Sequence, residues 1–167
     1  VGSGKTIVAA IACLKAILNK KQAALMAPTE LLATQHYESM SKLFKNHDLK
    51  ISILTGSIKK SVREEIEYSI LTGETNLIVG THALFQEGVT FNNLELIVID
   101  EQHRFGVKQR VALREKGGSE NKHAHQLIMS ATPIPRTLAM AAYADLDISI
   151  IDELPSGRKP IKTLILS

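Results

Sequence analysis

A chain of 167 residues is one domain's worth of sequence, long enough to bury a sizeable core. With 44% hydrophobic and 22% charged residues it is globular rather than disordered, and with 4% aromatics and no Trp its core must be built from Ile, Leu, Val and Ala. The net charge of +3 permits a polyanionic partner without demanding one, and a single cysteine, Cys13, excludes an internal disulfide, which fits a reducing compartment.

The chain opens on Val1-Gly2-Ser3-Gly4-Lys5-Thr6, the back end of a phosphate-binding loop of pattern G-x-x-x-x-G-K-[ST]. The first Gly of that pattern would fall two positions before Val1, so the sequence is expected to be a fragment that starts inside its own nucleotide site. Residues 5–19 read as a helix with Cys13 as a buried structural thiol. The apolar stretch 7–18 is interrupted by Lys15 and is too short to span a bilayer. Then follow a strand at 23–27, a helix at 30–45, a strand at 51–54 and a helix at 59–71 whose charges read as a solvated face. Strands are expected at 77–79 and 96–99, a helix at 107–116, a flexible loop at 117–122, a strand at 127–129, a helix at 136–143 and a strand at 148–151. Several strands are continuous aliphatic runs, which means burial on both faces: a mostly parallel sheet with helices above and below. Right-handed crossovers then gather the strand C-termini along one edge, where ligands bind.

In the opening loop the small residues Gly2, Ser3 and Gly4 let backbone amides approach phosphate oxygens, and the following helix adds its positive end. Lys5 would neutralise the β- and γ-phosphates, and Thr6 would offer a hydroxyl to Mg²⁺. Alone, the string is equally an ordinary turn. The second half of a triphosphate site is Asp100-Glu101-Gln102-His103, which closes the aliphatic strand. Asp100 would hold the magnesium shell, and Glu101 would polarise the attacking water. His103 either reports γ-phosphate state or is a surface histidine. The histidines show no metal-ligand spacing, so zinc is not expected. Ser130 and Thr132 are hydroxyls at a strand end, stiffened by Pro133 and Pro135; their plain reading is a rigid turn.

Residues 27–33 (Ala-Pro-Thr-Glu-Leu-Leu-Ala), 54–57 (Leu-Thr-Gly-Ser), 80–84 (Gly-Thr-His-Ala-Leu), 100–103 (Asp-Glu-Gln-His) and 130–132 (Ser-Ala-Thr) resemble motifs Ia, Ib, Ic, II and III of superfamily 2 helicases, in order. Residues 100–107, 132–138 and 152–160 resemble more narrowly the RecG family of bacterial helicases. The transcription-repair coupling translocases, which share the Pro-Ile-Pro-Arg-Thr segment, are the near alternative. The resemblance implies a three-layer P-loop NTPase (RecA-like) domain, the first motor domain of an ATP- and Mg²⁺-dependent enzyme of the bacterial cytoplasm that remodels forks and Holliday junctions. It further implies that Pro28, Thr29, Gly56, Thr81 and His82 line a DNA track, and that Ser130 and Thr132 couple it to ATP.

By the same resemblance a wedge domain and a second motor domain would lie outside these residues, so the chain by itself is expected to be nearly inert. It would also lack the strand that feeds the loop, expected between 127–129 and 148–151, and self-association through exposed strand edges is expected. A non-catalytic nucleic-acid-binding module and a P-loop kinase or GTPase are the readings from other classes. The latter leaves residues 28–29, 80–82 and 130–132 unexplained.

Overall fold

The aliphatic runs become the middle of a sheet. The computed structural model describes residues 4–86, 88–101, 124–131 and 147–151. Its strands are β1 (Gln22–Met26), β2 (Ile51–Leu54), β3 (Leu77–Gly80), β4 (Leu94–Asp100) and β5 (His125–Met129). Every pairing is parallel, in the order β2-β3-β1-β4-β5. β1 and β3 are buried at every position, as a strand covered on both faces must be. The expected parallel α/β architecture is therefore present.

Among the described residues three helices cover the sheet: α1 (Lys5–Leu18), α2 (Glu30–Leu43) and α3 (Lys60–Leu71). On one face, Ala9, Cys13 and Ile17 of α1 and Ala33 and Met40 of α2 pack with Leu25, Val79 and Val98. On the other, Ile70 of α3 packs with Met26, Ile78, Ile97 and Ile99. Burial pushes the Cys13 thiol up to about 12, so it stays protonated and unreactive in the core. Among the described residues no helix is long and apolar enough to cross a membrane.

Two details orient the functional edge. Just past the end of α1, Lys20 takes the left-handed region (φ 58°), and there Lys21 N–H donates to Ala16 O at 3.2 Å and Lys20 N–H to Ile17 O at 2.8 Å. That pair of bonds satisfies the last carbonyls and turns the chain straight into β1. So α1 runs back along β1 and β4, against which it packs, and its first residues reach the strands' C-terminal edge. At the opposite end, the buried Gln22 carboxamide makes four bonds at 2.9 Å. Its Nε2 donates to Ile70 O and Thr75 O, and its Oε1 accepts from the Asn92 and Asn93 amides. A polar group inside a core is tolerated on those terms.

One expected strand is absent. Residues 148–151 enter no ladder, and Ile148, Ile150 and Ile151 are exposed. An isoleucine run becomes a strand only when a neighbouring backbone supplies its hydrogen bonds, and no described strand pairs with these residues. The expected helices at 107–116 and 136–143 and the loop at 117–122 lie outside the described residues.

Candidate functional site

Because all five strands run the same way, the segments after β1, β2, β3, β4 and β5 leave from one edge. Those segments hold Pro28 and Thr29, Gly56 and Ser57, Thr81 and His82, Glu101, and Ser130 in turn. The chain order reverses between β1 and β4, the position at which doubly wound sheets open a crevice for ligands. Helix α1 packs against both of these strands, so Lys5 starts at that crevice.

The loop residue Gly4 has φ 82°, open to glycine and strained for any other residue. Without a side chain it gives α1 no cap, and the first turn carries no acidic residue. An anion fits such a helix start. Lys5 and Thr6 follow, both half-buried. Across the crevice Asp100 closes β4, and its Oδ2 lies 2.7 Å from His36 Nε2 of α2, with both side chains largely buried. A carboxylate only accepts, so the imidazole N–H donates. Glu101 is a non-glycine residue in the left-handed region (φ 51°). Its amide donates to Met129 O at 2.9 Å, and its Oε1 accepts from the Ala131 amide at 3.1 Å, so both ends of Glu101 are tied to the end of β5 beside Ser130. The donor set of Thr6 and Asp100 is all oxygen, which suits a hard cation such as Mg²⁺. No cluster of three or more acidic, His or Cys groups stands ready for a metal among the described residues, so such an ion would need phosphate oxygens as well.

The other half of the edge is built differently. Thr29 caps α2 by accepting from the Leu32 amide at 3.3 Å, and its hydroxyl proton can still be donated outward. Glu30 accepts from Ser57 N–H at 3.0 Å and Ser57 Oγ at 2.8 Å, binding the loop after β1 to the loop after β2. Gly80 sits so near β2 that a Cβ there would lie 2.3 Å from Leu54 O. Thr29, Gly56 and His82 are exposed and Pro28 is half-buried. The Thr81 side chain is 2% exposed, so any part it plays along this edge falls to its backbone. Its amide closes on Leu54 O at 3.3 Å and its Oγ1 caps the short 3₁₀ turn His82–Phe85, so it holds His82 outward.

The family profile of DEAD/DEAH box helicases matches residues 1–141. The chain belongs to that helicase family. Among its relatives, the ATP-dependent DNA helicase RecG of Haemophilus influenzae is 60% identical over all of this chain and 24% of its own length. RecG of Escherichia coli K12 is 58% identical over 99% of this chain and 24% of its own length. A solved structure of RecG bound to a three-way DNA junction superposes with a TM-score of 0.80 at 45% identity, covering 96% of this chain and 21% of that one. The chain thus spans about a quarter of the length of the curated relatives it matches.

In this helicase domain the structure brings Gly4, Lys5, Thr6, Asp100, Glu101 and Ser130 to one edge with Pro28, Thr29, Gly56 and His82. Gly2, Ser3, His103 and Thr132 lie outside the described residues. Two polar residues of the site escaped the sequence reading, His36 and the carboxylate of Glu30. The signal for His36 was present: with Ala33 and Met40 it falls on the inward stripe of α2, where a polar residue needs a partner. For Glu30 no local signal exists, since Ser57 is 27 residues away.

Proposed function

We propose that the chain is the first motor domain of a RecG-type enzyme that couples ATP hydrolysis to movement on branched duplex DNA in the bacterial cytoplasm. One observation carries the reading. The residues suited to a triphosphate and those suited to a polynucleotide leave one edge of one parallel sheet, on either side of the crevice between β1 and β4.

On this reading Gly2, Ser3, Gly4 and the first turn of α1 hold the phosphates, and Lys5 offsets the charge that builds on the β- and γ-oxygens. Thr6 and Asp100 hold magnesium, which when bound supplies further positive charge at those oxygens. Glu101 orients a water and accepts its proton, and His103 senses whether the γ-phosphate is present. Thr29, Gly56 and His82 contact backbone phosphate, which gives affinity without sequence preference. Ser130 lies next to the Glu101–Ala131 bond, and with Thr132 it links hydrolysis to DNA. A wedge domain and a second motor domain complete the machine. Transition-state arginines come from the latter, and losing one costs about 10³- to 10⁵-fold in rate, so the 167 residues alone hydrolyse ATP slowly.

The test is Lys5→Ala in the full-length protein, with phosphate release measured on forked DNA. Hydrolysis and fork remodelling should fall at least about a hundredfold, while DNA binding without nucleotide stays near the parent value. Undiminished, DNA-stimulated turnover would sink the proposal.

A further inference from the structure

Asp100 is the carboxylate on which the nucleotide reading leans most, yet nothing in its own strand fixes the direction of its side chain. It is the last residue of β4, one step past the fully buried Ile99. The group that meets it comes from another element, 64 positions away in sequence. His36 Nε2 lies 2.7 Å from Asp100 Oδ2, a short distance typical of a hydrogen bond strengthened by charge. The two side chains are only 12% and 14% exposed, so water competes little for the bond. His36 is itself held by packing: α2 lies against β2 and β3, and its inward residues Ala33 and Met40 are fully buried on either side.

We infer that His36 is a positioning residue for the magnesium site: by donating to Oδ2 it fixes the Asp100 carboxylate so that Oδ1 is presented to the metal or its water shell. The inference rests on the nucleotide reading of this edge and extends it to a residue outside the loop and the acidic pair. Its physical basis is general. A ligating carboxylate with one oxygen tied by a fixed donor loses little rotational freedom on binding, whereas a loose one loses more. Outer partners of this kind are typically worth about 10- to 100-fold in metal affinity. His36 touches neither nucleotide nor water in this scheme, so its removal should act through the metal and leave metal-free nucleotide affinity alone.

The experiment uses the full-length protein and reads Mn²⁺ binding in the presence of ADP by electron paramagnetic resonance, together with fluorescent-ADP binding in EDTA. His36→Ala should weaken Mn²⁺ about 10- to 100-fold, with ADP affinity in EDTA unchanged. His36→Leu, which fills the space without donating, keeps the test available if the alanine variant folds poorly, and it should show the same loss. His36→Gln, whose amide can donate at a similar reach, should recover most of the affinity. In hydrolysis, the Mg²⁺ concentration giving half-maximal rate should rise in the alanine and leucine variants, with the rate at saturating Mg²⁺ largely restored. Adding His36→Leu to Asp100→Asn should cause no further loss of Mn²⁺. Mn²⁺ affinity in folded His36→Leu within about twofold of the parent overturns this inference alone. A parent protein that binds no ADP, with or without Mn²⁺, overturns the nucleotide reading and this inference with it.

Discussion

The two halves of the functional edge are held by different means. Beyond β1, β2 and β3 the loops are locked to one another at close range: Glu30 grips Ser57, Gly80 lies against Leu54 O, and the Thr81 amide closes on the same carbonyl. Beyond β4 and β5 the hold, among the described residues, is of another kind. Asp100 meets the His36 imidazole, and Glu101 occupies a backbone conformation that a residue other than glycine adopts at a cost. The first half is a rigid platform, suited to a repeating phosphate backbone. The second stores strain beside the carboxylates proposed for chemistry, where strained residues tend to collect.

The contrast can be broken most sharply at Gly80. A methyl group there collides with backbone, which cannot swing aside, so Gly80→Ala should cost about 3 kcal/mol in urea denaturation. A loss under about 1 kcal/mol would mean that β2 and β3 are not locked as described. The next largest effect concerns α1, which bridges the halves by packing on both β1 and β4. The folded Cys13 thiol keeps its proton up to about 12, against an ordinary value of 9.0, because it is buried. The unfolded chain therefore sheds that proton first, and stability intact below pH 9 should fall as pH rises toward 12, by up to about 1.4 kcal/mol per pH unit. Cys13→Ala should remove that share of the slope, and both halves should melt in one transition if α1 ties them together. The smallest effect sharpens the claim of strain. Glu101→Gly and Glu101→Ala lose the same carboxylate, yet the glycine variant should be the more stable by about 1 kcal/mol. The reverse order in thermal melts would show that Glu101 is not strained.

Much of this was legible in the residues. The aliphatic runs at 77–79 and 96–99 announced buried parallel strands because a strand covered on both faces has no reason to alternate. The boundaries moved where hydrogen bonding reached past the aliphatic core, as at Gln22, a polar residue that its four partners admit to β1. The run at 148–151 misled, since its composition says strand but composition supplies no neighbour. Lys5, Asp100 and Glu101 could be proposed for the site from the residues alone because each motif is local. For Thr81 the resemblance named a position but not its exposure, and its side chain is buried. His36 and Glu30 act across 64 and 27 residues, distances over which periodicity carries no information.

Helix α2 begins at a threonine cap on the platform side and carries, two turns along, the imidazole that meets Asp100. Seven residues of helix span roughly 10 Å with no joint between them. On the proposed reading, a pull on the capped end would arrive at Asp100 as a displacement of the same stiff rod, unless the rod bends. Mechanical stress and metal geometry would then share one component.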